Sequence, residues 1–157
     1  MSKIRFYFYH WSDLMSKIIQ WRTVSYFNHV AVATIENGVE YVYQVWGSWV
    51  KKEVHPLNGY NKEKTKVYYV DVEVDKNKFD EIKRYLDKQV GKKYDWLAIR
   101  WFGIWKYEQD KKRWFCSELA EVVLEKIEGR QIWRNKLVSP WNIAMYFISK
   151  SYDLIEF

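Results

Sequence analysis

The sequence predicts an α+β domain in which helices cover an antiparallel sheet. Segments rich in β-branched and aromatic residues are grouped early in the chain, at residues 3–9, 29–46 and 66–74. Two amphipathic helical patterns follow, at residues 76–90 and 116–129. Grouped strands and grouped helices are typical of α+β proteins, whereas regular alternation would favour a parallel sheet. The length of 157 residues suits one domain, so residues 1–157 are taken as a single unit.

The strand region is interpreted from alternation and turn residues. Residues 3–9 alternate weakly and open the sheet, and Ser12 is placed to cap a short helix over 13–21. The Glu36-Asn37-Gly38 turn joins two strands into a hairpin. The remaining predictions are strands at 29–35 and 39–46, a bent continuation at 47–54, a loop at 55–64 and a strand at 66–74.

The helix region follows from spacings of three and four between apolar residues. Asp75 begins the helix at 76–90, and Gly91 ends it. The helix at 116–129 presents Leu119, Ala120, Val123, Leu124 and Ile127 on one face. The other assignments are an apolar stretch at 94–105 left open between helix and packed loop, a helix at 141–149 opened by Ser139 and Pro140, and a final strand or tail at 151–157.

Charge and aromatic content restrict the partners. The net charge of +6 favours anionic partners, among them a charged cell-wall polymer or the surface of an anionic membrane. Most lysines are scattered among acids, as on a solvated surface. Nucleic-acid binding rests only on charge with interleaved aromatics, as at 100–106, and no specific nucleic-acid motif is present. The 20% aromatic content slightly favours a substrate with an apolar acyl group or one that stacks on aromatic side chains.

The single cysteine excludes an internal disulfide framework. Three histidines without zinc-binding spacing predict no metal site, and no cofactor is expected. No apolar run is long enough to span a membrane, and residues 1–15 carry no cleavable signal pattern. A cytoplasmic location is therefore expected, where the thiol stays reduced.

Cys116 lies where a loop meets the first turn of the helix at 116–129. Unpaired N–H groups and the helix dipole favour a negative charge there, which predicts a thiol pKa below its ordinary value. The same N–H groups can stabilise an oxyanion. A buried cysteine that packs as a small hydrophobe is an equal alternative on position alone.

Two polar residues on the predicted hairpin are candidate partners for the thiol. His29 begins a strand of small and β-branched residues, where an imidazole can serve as base. Gln44 lies on the next strand, and its amide oxygen can hold the imidazole in one tautomer. The alternatives are a strand-end histidine bonded to a loop and an outward-facing glutamine.

The order of these segments resembles the permuted papain-like hydrolases, the YiiX/YaeF-like branch of the NlpC-type superfamily, and more distantly the lecithin retinol acyltransferase-like proteins. The family segments are a SHV strand, a YVxEA strand and a FCSEL helix. They correspond to 28–34, 41–46 and 115–119 of this chain. A GxxYD segment corresponds to 91–95, and a SPx(D/N)(L/I) segment to 139–143. The resemblance covers about Ile19 to Ile143, and FCSEL is its most specific part.

The resemblance implies a circularly permuted papain-like, NlpC-type fold. It also implies a cysteine hydrolase or acyltransferase acting on an amide or ester of peptide, peptidoglycan or lipid acyl type. Cys116 would be the nucleophile, His29 the base and Gln44 the third member. Two departures are Gln44, where the group often has Glu, and Asn28, where it has Ser. An amide can orient a histidine but cannot stabilise imidazolium by its charge.

Further candidates surround these three residues. Ser117 is a candidate for the oxyanion site, and His10 and Trp11 for the border of the cleft, although an exposed loop histidine is the simpler interpretation of His10. Tyr94 and Asp95 are candidates for hydrogen bonds near the site. The rival hypothesis is a catalytically weak or inactive binding or inhibitory module, such as a small phage or accessory protein.

Overall fold

The strands of the computed structural model form one sheet, and the helices lie on one of its faces. The structure describes residues 2–11, 26–46, 49–54, 65–94, 113–114, 116–133 and 138–157. The strands in this part of the chain are β1 (Ser2–Trp11), β2 (His29–Glu36), β3 (Val39–Trp46), β4 (Trp49–Val54), β5 (Thr65–Val74), β6 (Lys93–Tyr94), β7 (Arg113–Trp114) and β8 (Ile155–Glu156). The helices among the same residues are α1 (Lys76–Gln89), α2 (Cys116–Glu128) and α3 (Pro140–Ser149).

The sheet has the order β7-β6-β4-β3-β2-β1-β5-β8 among the described strands. Neighbours are antiparallel except the short β6–β7 pair, which is parallel. β1 lies inside the sheet because β2 and β5 both pair with it. The β1–β5 ladder extends from Ser2–Val74 to Trp11–Thr65. The chain is therefore α+β with a largely antiparallel sheet, as the sequence predicts.

β2, β3 and β4 are successive antiparallel neighbours in the sheet. Asn37 and Gly38 have φ of 50° and 77°, which suits the two-residue hairpin turns favoured by strand twist. The prediction that 47–54 continues the preceding strand is wrong. β4 folds back and pairs antiparallel with β3, with Trp46 opposite Trp49. Gly-Ser between two β-rich runs is itself a hairpin signal, which the sequence interpretation missed.

Because side chains alternate along each strand, the buried residues form two clusters, one on each face of the sheet. On β1, Phe6 and Phe8 face the helices, and Tyr7 and Tyr9 lie on the opposite face. Phe147 of α3 packs on Phe6 with ring centroids 4.9 Å apart. The helix-side cluster combines residues from all three helices and is the larger of the two.

The helix ends follow the residues that the sequence marks for them. The Asp75 side chain accepts a hydrogen bond from the Lys78 N–H, and Gly91 has the positive φ of 84° that suits a helix C-terminus. Ser139 and Asn142 form a reciprocal capping box at the start of α3. In the described part of the chain, no helix has the length and apolar character needed to cross a membrane.

Some predictions lie on residues that the structure does not describe. These are the helix at 13–21, the loop at 55–64 and the open question over residues 95–105. The tail at 151–157 contains β8, which pairs with β5 at Tyr68 and Tyr69.

Phe147→Ala is expected to lower the free energy of unfolding by about 3–5 kcal/mol, because it removes a fully buried ring from the core. Met145→Ala on the same helix is the matched control, since Met145 is 42% exposed and its loss should cost less than about 0.5 kcal/mol. Urea denaturation of both variants measures the difference. Equal losses in the two variants would contradict the packing described here.

Candidate functional site

The candidate site lies at one end of the sheet, where β2 begins and β3 nears its end. His29 is the first residue of β2 and pairs with Tyr9 of β1. The β2–β3 ladder starts only at Val32 and Tyr43. Beyond that point a side-chain hydrogen bond connects the two strands, in which the Nε2 atom of His29 lies 3.3 Å from Oε1 of Gln44.

Gln44 holds the imidazole on the face of the sheet that carries Tyr9. The His29 and Tyr9 rings lie 5.3 Å apart, and both side chains are buried. Gln44 is also buried, and its Nε2 group donates a hydrogen bond of 2.7 Å to Oε2 of Glu53 on β4. The alternative of an outward-facing glutamine is therefore wrong.

Burial keeps His29 neutral. Loss of solvation lowers the pKa of His29 to about 4, and the hydrogen bond with Gln44 only partly opposes this effect. The ring is therefore uncharged at neutral pH and has one donor and one acceptor nitrogen. A neutral imidazole is able to take a proton, which a general base requires.

Cys116 reaches the same end of the sheet from the helix side. It is the first residue of α2, and α2 packs on β2. The backbone N–H of Val30, the residue that follows His29, lies close enough to the sulfur to favour the thiolate. Val30 and Cys116 belong to the helix side of the sheet, whereas His29 lies on the face that carries Tyr9.

The prediction of a lowered pKa for Cys116 is wrong. The thiol is only 5% exposed, and burial raises its pKa to about 11. N–H groups of Val30, Ser117 and Cys116 itself favour the thiolate but do not offset the loss of solvation. The charge of Glu118 raises the pKa further. The thiol and the imidazole are therefore both uncharged at neutral pH, the thiol on the helix side of the sheet and the imidazole on the face of Tyr9.

Two neighbours of Cys116 in the first turn of α2 are buried. The Ser117 hydroxyl forms no hydrogen bond with the described residues, so of its polar groups only the backbone N–H favours the thiolate. Glu118 is also buried, and its negative charge raises the pKa of Cys116.

The other candidates contribute less to the described geometry. His10 and Trp11 belong to β1 rather than to a following loop, because β5 pairs with β1 as far as Trp11. The His10 ring stacks on Tyr26 at 4.3 Å, and its Nδ1 atom lies 2.7 Å from the Tyr26 carbonyl oxygen. Tyr94 ends β6, and Asp95 lies outside the described residues.

Sequence reasoning missed Glu53, which contacts Gln44 directly. Pairing 39–46 with 49–54 across a two-residue Gly-Ser turn places Val42 opposite Glu53 and Gln44 opposite Lys51. Glu53 is then the diagonal neighbour of Gln44 on the same face. The hairpin signal in the sequence was sufficient to find it.

The fold and the site together define an α+β protein with a cysteine at a helix start and a strand-borne His–amide pair at the same end of the sheet. No protein-family model matches the chain, and no curated protein matches it. Among solved structures it is similar to the crystal structure of "metalloprotein yiiX from Escherichia coli O157:H7, DUF1105". The TM-score is 0.61 at 19% sequence identity, over 92% of this chain and 79% of that one. The chain therefore has a YiiX-like fold.

That neighbour carries the word metalloprotein in its description. In the part of this chain that the structure describes, no group of three or more His, Cys, Asp or Glu side chains is placed to hold a metal ion.

Alkaline pH is expected to destabilise the protein through Cys116. The folded pKa of about 11 lies above the ordinary value of 9, so the unfolded chain releases its proton first. The stabilisation is complete below about pH 9 and decreases as pH rises to about 11, by about 3 kcal/mol in total. Urea denaturation across this range measures the loss.

Cys116→Ala is the matched control, because it removes this thiol and leaves every other titrating group in place. The difference in unfolding free energy between wild type and variant should shrink steadily from pH 9 to 11. A difference independent of pH would contradict a buried thiol with a raised pKa.

Proposed function

We propose that this chain is a cysteine hydrolase or acyltransferase that acts on an amide or ester. One observation carries the proposal: Cys116 begins α2 with its sulfur near the N–H of Val30, the residue that follows His29 in β2, and Gln44 is bonded to that histidine. A nucleophile beside a base that a third group orients is the general arrangement of covalent acyl transfer.

The reaction begins from the neutral pair. As the sulfur forms a bond to the substrate carbonyl carbon, the thiol proton passes to Nδ1 of His29, since Nε2 faces Gln44. The N–H groups at the start of α2 stabilise the resulting oxyanion. The imidazolium then gives its proton to the departing amine or alcohol, leaving a thioester on Cys116. Water, or the hydroxyl or amine of an acceptor, then attacks that thioester and loses its proton to His29. His29 passes this proton to the departing sulfur, which restores the thiol.

The sequence resemblance to permuted papain-like, NlpC-type enzymes favours peptide-type amides, such as peptidoglycan cross-links, or the acyl groups of lipids. The YiiX-like fold supports that relationship at the level of architecture. A net charge of +6 favours substrates presented on an anionic polymer or membrane surface. A cytoplasmic location, which keeps a single cysteine reduced, is part of the proposal.

The second candidate function is a papain-like binding or inhibitory module with little catalysis. The burial of both groups favours it, because the pKa values of about 11 and about 4 disfavour a thiolate–imidazolium pair. An amide at position 44 adds no charge to stabilise imidazolium. The two functions differ in whether a thioester forms on Cys116.

Intact-protein mass spectrometry during reaction with a series of p-nitrophenyl acyl esters tests the first function. The wild type should accumulate one acyl group, and the adduct should be absent in Cys116→Ala. His29→Gln should lower the acylation rate by about 100-fold or more, since general-base catalysis contributes about that factor.

His10→Gln is the matched histidine control, because His10 stacks on Tyr26 and is not bonded to Gln44. It should acylate at the wild-type rate. If no ester in the series acylates the folded wild type, or if both histidine variants react at the wild-type rate, the binding module replaces the enzyme.

A further inference from the structure

We propose that Glu53 is a positioning residue that sets the tautomer of His29 through the side-chain amide of Gln44. The three side chains form a chain from β4 through β3 to β2, with contacts of 2.7 Å and 3.3 Å. The positioning is a property of the folded protein alone, and its catalytic consequence rests on the proposed function.

The first step is the orientation of the Gln44 amide. A neutral imidazole can donate or accept, so His29 alone leaves the two ends of the amide interchangeable. A carboxylate only accepts hydrogen bonds, so Glu53 requires the NH₂ group of Gln44 to face it. The Gln44 oxygen therefore points at His29.

The second step is the position of the proton on His29. The Gln44 oxygen can only accept, so Nε2 of the neutral ring must carry the proton and donate it. The lone pair is then on Nδ1, which is the nitrogen that a base needs for the thiol. Glu53 thus supplies through one intervening amide the orientation that a directly bonded carboxylate supplies elsewhere.

The placement of Glu53 suits this role. Gln44 is buried, with 7% of its surface exposed, whereas Glu53 lies exposed on β4. The orientation of the buried amide is therefore set by a carboxylate at the protein surface. Register places Glu53 diagonal to Gln44 on the face that also carries His29 and Tyr9. Exposure at this position also allows substitution with little cost in stability.

Glu53→Lys tests the proposal most sharply. A lysine ammonium only donates, so it should turn the Gln44 amide and present the NH₂ group to His29. Nitrogen-15 NMR of the histidine rings, with His29 assigned by its loss in His29→Gln, should show the Nε2–H form in wild type and the Nδ1–H form in Glu53→Lys. Glu53→Gln can still accept and should keep the wild-type form.

Two further variants make the result decisive. Glu73→Lys makes the same charge change on an exposed strand position and should leave the His29 tautomer unchanged. Glu53→Leu can neither donate nor accept, so the Nε2–H form of His29 should lose the preference that Glu53 gives it. An unaltered Nε2–H form in both Glu53→Lys and Glu53→Leu would overturn the proposal.

The acylation rate separates this proposal from the proposed function. If the tautomer switches in Glu53→Lys, the ester acylation rate should fall by about 100-fold while Glu73→Lys reacts normally. A tautomer switch with an unchanged acylation rate would overturn His29 as the base and leave the positioning role of Glu53 intact. An unchanged tautomer with active wild type would overturn only the role of Glu53.

Discussion

The first turn of α2 packs against the start of β2, and the chemistry of the site depends on this contact. It places the Cys116 sulfur on the Val30 N–H, adjacent in sequence to His29. It also buries the thiol, which is 5% exposed, whereas His29 is buried on the other face of the sheet beside Tyr9 and Gln44. Burial of each group suppresses its charge, so that charge would appear only as a new bond forms.

The neutral state of His29 explains why its partner at position 44 is an amide rather than a carboxylate. A carboxylate next to a buried imidazole would favour the protonated ring, whereas an amide orients the ring and leaves it neutral. Gln44 makes the bond to His29, and Glu53 holds Gln44 from the neighbouring strand. The negative charge is thus one residue farther from the ring than in a direct His–carboxylate pair. Under the proposed function, this arrangement suits a base that accepts its proton during attack.

Much of the fold is predictable from local pattern. Alternation on β1 and the Asn37–Gly38 turn specify strands and register locally, and the capping residues Asp75 and Ser139 mark helix starts. The pKa of Cys116 was not predictable, because the helix position sets the favourable N–H groups but only tertiary packing sets the burial that outweighs them. Glu53 was missed for a different reason: residues 47–54 were interpreted as a continuation of the preceding strand, although the Gly-Ser hairpin signal pairs β4 with β3 and so brings Glu53 to Gln44.

Raman spectroscopy between pH 5 and 12 tests most directly whether the resting thiol is neutral, because the S–H stretching band is present only when the cysteine is protonated. Because the chain has a single cysteine, the band belongs to Cys116 alone, and Cys116→Ala provides the blank. The band should be present at neutral pH and disappear around pH 11, following the raised pKa of the buried thiol. Absence of the band at neutral pH in the folded wild type would show a preformed thiolate and contradict the account.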